Sequence, residues 1–309
     1  MRFGLATVLD QRPIAALEVD GKYWSLEALR RKGLDIPRGS SVKDLIADWP
    51  AAFDRLQALA LMCADPLSGL PSLPDGKSKL QLPIQYPNKL IAVGANYSGH
   101  LSEMGLPVVR WHPMPFFFKP PTTSMVGPGR TVVIPTDTSQ FDWEIELAVI
   151  IGQRLSHASE AEARRAIAGY SVGLDLSARE LITPPNSPMQ VDLSRGKCQD
   201  TMSPMGPHIR PAAFVPDPQG LRLRLSVNGV VRQDALTSEM LYSVEEQLST
   251  ISRFVTLEPG DVVFTGSPAG SAKAHGVPFL KAGDEIAAEI EGVGSLEVVV
   301  VERADAMKR

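Results

Sequence analysis

The chain has 309 residues, 44% of them hydrophobic and 21% charged, the make-up of a globular protein with material for a substantial core. A formal net charge of -4 with no Lys/Arg cluster argues against nucleic acid as partner, and no apolar stretch is long enough to span a bilayer. Two cysteines, Cys63 and Cys198, exclude a disulfide framework and a thiolate zinc site.

The N-terminal ten residues read as a strand and lack the apolar region of a signal peptide, so the expected location is the cytoplasm. Strands over 3–9 and 14–19 flank a turn at Gln11-Arg12-Pro13; a second turn at Asp20-Gly21-Lys22 leads to amphipathic helical segments over 42–62. This gives a small α+β accessory domain, residues 1–64. Pro, Ser, Gly and Lys then accumulate, which predicts a linker over 65–88 that runs on the surface. The main domain, 89–309, opens with a strand over 89–94. Phe116-Phe117-Phe118-Lys119-Pro120 reads as a buried strand, with Lys119 in reach of a substrate anion. Residues 159–168 read as a helix with Ser159 as N-cap and Gly169 as stop, and 241–254 as another. The tail alternates strands at 261–265, 285–290 and 296–301 with turns. Regular β-helix-β alternation is missing, so the expected fold is mostly β with a few covering helices, an α+β architecture.

The run Phe141-Asp142-Trp143-Glu144-Ile145-Glu146-Leu147, continuing apolar to Ile151, predicts one buried strand. Side chains alternate along a strand, so 142, 144 and 146 share a face. Two desolvated carboxylates side by side repel each other and require positive charge between them. A hard divalent cation meets that requirement. Asp175, in the apolar segment 169–179, supplies a third oxygen ligand and leaves the remaining positions of an octahedral Mg²⁺ to water or substrate.

His100 and Glu103 stand i, i+3. On a helical turn capped by Ser98 and closed by Gly105 they share a face, and an imidazole oriented by a carboxylate is a general base near neutral pH. The G-x-S-x-G of Gly169 to Gly173 matches a nucleophile elbow, but the helix precedes it and the apolar run follows it, the reverse of what that elbow needs. His112, beside Trp111, reads as a loop histidine; His157, His208 and His275 read as solvent-facing, and nothing marks Cys198 as a nucleophile.

Taken together, Val-Gly-x-Asn-Tyr-x-x-His-x-x-Glu (93–103), Asp-Trp-Glu-x-Glu-Leu-Ala (142–148) and Gly-Tyr-x-Val-x-x-Asp-x-Ser-Ala-Arg (169–179) resemble the fumarylacetoacetate hydrolase family. Lys197-x-x-Asp200-Thr201, Gly206-Pro207, Leu257 to Asp261 and Thr265-Gly266-Ser267-Pro268 continue the resemblance in the family's order, over about 89–301. It implies a mixed β-sandwich or roll for the C-terminal domain. Glu144, Glu146 and Asp175 match its metal ligands, for Mg²⁺ and sometimes Mn²⁺ or Ca²⁺, and His100 and Glu103 match its catalytic dyad. Lys197 matches an active-site lysine; Arg179 and Thr265 match positions that hold substrate carboxylate or oxo groups. Where members often carry Gln three residues after the Arg, this chain has Ile182, and the Pro-rich 181–195 rim departs from the family norm. The implied activity is metal-dependent hydrolysis of a C–C bond in a 2-oxo or 1,3-diketo acid of the acylpyruvate or fumarylpyruvate type, in catabolism of aromatic compounds or sugar acids. A decarboxylase, isomerase or hydratase on the same scaffold is the alternative. The implied partner is a small oxo-acid and the implied assembly a homodimer.

Overall fold

The structure is a computed structural model and describes residues 1–39, 41–74 and 79–306. Strands dominate it. The N-terminal part gives β1 (Gly4–Asp10), β2 (Arg12–Val19) and β3 (Lys22–Ser25). Next come β4 (Leu90–Val93), β5 (Phe116–Lys119), β6 (Met125–Val126), β7 (Thr131–Val133), β8 (Phe141–Asp142) and β9 (Ile145–Ile151). The remainder are β10 (Ile167–Leu174), β11 (Ser177–Ala178), β12 (Ser203–Pro211), β13 (Arg222–Val227), β14 (Val230–Leu236), β15 (Val262–Phe264), β16 (Glu285–Ile290) and β17 (Gly294–Val301).

Three layers result. The main sheet runs β3-β2-β1-β12-β10-β9-β15-β4-β5, and a second sheet runs β14-β13-β16-β17-β7. Helices Val42–Ala47 and Trp49–Ala64 cover the outer face of the main sheet. Strand β9 sits at the centre, between β10 and β15. Its Ile145, Leu147, Val149 and Ile151 join the core shared with the second sheet, and Ala148 and Ile150 join the core under the N-terminal helices. A strand buried on both faces needs an unbroken apolar run, which this segment has. Antiparallel pairs outnumber parallel ones, and the mostly β, α+β expectation is met.

Several sequence expectations change. The strand expected across 141–152 is broken: β8 pairs with β11, residues 143 and 144 bridge, and β9 starts at Ile145. The helix expected over 159–168 is Glu160–Arg165, its N-cap Ser159 closed in a capping box with Glu162. Gly169 is not its stop but lies inside β10, where a Cβ would stand 2.3 Å from Arg210 O; the glycine serves the close approach of β12. Residues 116–119 form an edge strand with Phe118 48% exposed, and only Lys119 is fully buried. The second helix shortens to Val244–Ser252, capped by Ser243. The segment read as surface linker is tied down instead: Gln81 N–H donates to Thr7 O, Leu73 N–H to Tyr23 O, and Leu80, Leu82 and Ile84 are buried. Among the described residues no helix is long and apolar enough to cross a membrane.

His208, expected in solvent, is buried in β12 where the N-terminal hairpin meets the second sheet. Its Nε2 stands 2.9 Å from Val293 O and 2.8 Å from the Arg210 guanidinium, with Glu18 3.9 Å from Nδ1. Burial, then Arg210, push its pKa down to about 4 from 6.5. The unfolded chain therefore takes up this proton first. Its contribution to stability is complete above pH 6.5 and is lost as pH falls toward 4, by about 3 kcal/mol for a shift of that size. Denaturant unfolding between pH 7 and 4 should show that slope, and His208→Gln should flatten it.

Candidate active site

The register of two strands builds the site. Strands β9 and β10 pair antiparallel with Glu146 opposite Gly173 and Ile145 opposite Leu174. One step further, Asp175 falls beside Glu144, and Asp175 N–H donates to Glu144 O at 2.9 Å. The carboxylates of Glu144, Glu146 and Asp175 are buried and each offers an oxygen within 4.8 Å of the others. Asp142 does not join them. It accepts from Trp143, Ala272 and Lys273 N–H and from Arg179 Nε, fixing the loop before the helix Ala272–His275.

Cations crowd one side of this group. Lys197 ends the helix Leu193–Lys197, whose N-cap Asp192 accepts from Arg195 N–H. Its Nζ donates to Glu144 Oε2 at 2.5 Å and Asp175 Oδ2 at 2.7 Å. Lys119 pairs with Asp175 Oδ1 and donates to Met202 O at 3.1 Å. Arg179 Nη1 stands 2.7 Å from Glu144 Oε1. Burial would raise Glu144's pKa, but Lys197 and Arg179, with His100, outweigh it and hold the carboxyl well below the usual range. Burial would likewise discharge Lys197, and Asp175 and Glu144 reverse that, so it stays an ammonium.

Glu146 has no such partner. Among the described residues no cationic side chain forms an ion pair with it; Gly266 N–H donates at 2.6 Å. Gly266 reaches that position at φ +95°, with Asn96 Cβ 2.8 Å from where a Cβ would be, a conformation and a fit that suit glycine alone. Burial, then the neighbouring Asp175 and Glu144 charges, push Glu146 well above the carboxylate range. Two polar groups nearby are orphaned: among the described residues, buried Arg179 Nη2 and the buried Tyr97 hydroxyl have no hydrogen-bond partner. A cluster with one uncompensated carboxylate, oxygen donors only and unpaired donors at its rim fits a hard divalent cation with an oxygen-rich ligand.

The His100–Glu103 pair faces the same Glu144 oxygen as Arg179. Helix Ser98–Glu103 places His100 Nδ1 2.7 Å from Glu103 Oε1, and His100 Nε2 3.8 Å from Glu144 Oε1. Tyr97, not Ser98, occupies the N-cap, with no side-chain cap bond. Glu103 also accepts from Gly270 N–H at 2.8 Å and Ser271 Oγ at 2.9 Å, and His275 Nε2 is 3.3 Å away. These bonds, that of His100 first, outweigh burial and lower its pKa. His275, expected to face only solvent, is thus exposed yet engaged.

The chain folds as its motifs implied, and comparison with known proteins decides the family. The fumarylacetoacetate (FAA) hydrolase C-terminal family model matches residues 89–301. The chain belongs to the fumarylacetoacetate hydrolase family. Human mitochondrial oxaloacetate tautomerase FAHD2B is 38% identical over 226 residues, covering 73% of this chain and 70% of that protein. The fumarylacetoacetate hydrolase of Exiguobacterium antarcticum superposes with a TM-score of 0.78 at 30% identity, over 98% of this chain and all of that one. Maleylpyruvate hydrolase of Sphingobium sp. SYK-6, solved with manganese(II) and pyruvate, gives 0.74 at 28% identity, over 98% and 99%.

In this fumarylacetoacetate hydrolase family member, the structure brings seven of the eight expected residues together around the three carboxylates: Glu144, Glu146, Asp175, His100, Glu103, Lys197 and Arg179. Thr265 is in the same wall, but its hydroxyl donates to Leu147 O at 2.9 Å. Two residues outside that set hold the wall. Lys119, noted in the sequence only as a possible reach, anchors Asp175. Asn96 spans Thr265 O and Tyr242 through Nδ2 and accepts from Tyr242 N–H; its place beside Tyr97 in the first motif was the available signal. Ser171 of the false elbow is fully buried and donates to backbone oxygens of Gly206 and His208. Burial pushes the Cys198 thiol up, consistent with an inert cysteine.

Proposed function

We propose that this chain is a divalent-metal-dependent hydrolase that cleaves the C–C bond of an acylpyruvate-type 2,4-dioxo acid into pyruvate and a second acid. The observation that carries the reading is the buried Glu144-Glu146-Asp175 cluster faced by His100 Nε2. The three carboxylates would hold Mg²⁺ or Mn²⁺, with Ca²⁺ a third option, and the ion would supply Lewis-acid charge for adjacent carboxylate and oxo oxygens. Support comes from the related maleylpyruvate hydrolase, whose structure holds manganese and pyruvate.

His100, held by Glu103 through Nδ1, presents Nε2 to the site and takes a proton from a water whose oxygen adds to the distal carbonyl carbon. Collapse of that adduct breaks the C–C bond, and its electron pair passes into the pyruvate enolate. The proton held by His100 then passes to the methylene carbon of that enolate, giving pyruvate. Lys197 holds Glu144 ionised, donates to Asp175 and adds positive charge beside the enolate. Arg179 commits Nε and Nη1 to Asp142 and Glu144 and leaves Nη2 for a substrate carboxylate.

A second reading is tautomerisation, favoured by the 38% identity to an oxaloacetate tautomerase. There the same imidazole shuttles a proton at the carbon between two carbonyls, and no water adds. Manganese-loaded protein should be given an acylpyruvate and oxaloacetate in parallel. Equal release of pyruvate and a second acid from the acylpyruvate supports hydrolysis; accelerated oxaloacetate enolisation with no cleavage of the acylpyruvate overturns it. Loading itself should be visible in the melting curve, since Mn²⁺ at a hundred times its Kd stabilises by about 2.7 kcal/mol.

A further inference from the structure

The hairpin of β13 and β14 lies in the second sheet, yet one of its side chains leaves it. The ladder slips between Leu225, opposite Gln233, and Ser226, opposite Val231, so Arg232 is an extra residue. A bulge of this kind re-aims the side chain beside it. Gln233 turns inward and is 1% exposed, while every other residue of β14 is exposed or half-buried.

Its amide is fully used. Oε1 accepts from Ile145 N–H at 2.9 Å, the backbone between Glu144 and Glu146 at the point where β8 has ended and β9 begins. Nε2 donates to Ser267 Oγ at 3.0 Å and Pro268 O at 2.8 Å. The loop it grips carries, at one end, the Gly266 N–H on Glu146 and, at the other, the Gly270 N–H and Ser271 hydroxyl on Glu103. The bulge also touches that loop directly: a Cβ on Gly270 would stand 2.2 Å from Arg232 O.

We propose that Gln233 is a positioning residue that fixes the distance between the carboxylate cluster and the His100-Glu103 pair through one side-chain amide. It touches neither substrate nor ion. It ties the Glu144–Glu146 backbone to the loop that orients both Glu146 and Glu103, and the inference rests on the metal-and-base reading of those groups. An apolar side chain there leaves an N–H, a hydroxyl and a carbonyl without partners in a dry site, and the loop must shift to recover them.

The test uses the full chain with Gln233→Met, which has similar length and no amide, and Gln233→Asn, which keeps the amide one methylene short. Ile286→Ala, a buried truncation in the same sheet but two strands away from Gln233, controls for lost stability. Mn²⁺ affinity by calorimetry, kcat, KM and the melting temperature are read for each. Expected are a Mn²⁺ Kd raised and a kcat lowered by about 10- to 100-fold in both Gln233 variants, the scale for losing a buried hydrogen bond that orients a metal-site residue. Ile286→Ala should lower the melting temperature and leave Kd and kcat near wild type. Wild-type Kd and kcat in Gln233→Met, or in Gln233→Asn should the first fail to fold, overturn the inference alone. Equal losses in Ile286→Ala overturn it as well, by assigning the effect to stability. Wild-type protein that binds no Mn²⁺ overturns the functional reading beneath it and the inference with it.

Discussion

Replacing Glu146 with Gln should lower turnover by about three orders of magnitude or more while leaving the metal-free fold at least as stable as wild type. The first effect follows from losing one of the three ligands proposed for an ion that would supply several kcal/mol of charge stabilisation. The second follows from burial without a counter-charge. Glu146 is 1% exposed, accepts among the described residues only the Gly266 N–H, and is pushed up by burial and by Asp175 and Glu144. A carboxyl whose folded pKa lies above its unfolded one stabilises the fold at low pH and loses that contribution as pH rises through the folded value. At neutral pH the metal-free wild type bears this cost, and the Gln amide oxygen keeps the Gly266 bond without it. Scanning calorimetry with and without Mn²⁺ checks both signs. A metal-free variant melting well below wild type would show that Glu146 is structural, and a Mn²⁺-dependent rise surviving in the variant would remove it from the ligand set.

His100→Ala should cut kcat by about 10²- to 10⁴-fold, the usual scale of a general base, and leave Mn²⁺ affinity within a few-fold of wild type. His100 reaches the cluster only through Nε2, 3.8 Å from Glu144, whose carboxylate keeps Lys197 and Arg179 when the imidazole is gone. Single-turnover kinetics and a Mn²⁺ titration on the same preparation separate the two quantities. Loss of metal binding together with activity would make His100 part of the ion's cage instead of a base.

What could be read before folding depended on how local the physics is. The Glu-x-Glu couple was legible because an unbroken apolar run makes ionised carboxylates costly, and Asp175 because another such run ends on it. The break between β8 and β9 was not, since it depends on Gln233 from a hairpin almost ninety residues on. His208 looked like a loop residue because the residues that bury it, Glu18 and Val293, come from opposite ends of the chain. Gly169 satisfied every local rule for a helix stop, but the requirement it meets is set by β12. Lys119 read as the end of a strand, and the neighbour that gives it a role, Asp175, lies 56 positions later.

The family match begins at residue 89, but the sheet holding β9 extends to β3, and β1 pairs with β12. Leu56, Leu59 and Ala60 share a core with Ala148 and Ile150, on the strand face that also carries Glu146. The stretch ahead of the recognised region therefore backs the catalytic strand: it buries the next two residues, Ala148 and Ile150, on the face that carries Glu146. A substitution among the first sixty residues that loosens this packing, however remote from any reacting atom, loosens the backing of the strand that carries Glu146.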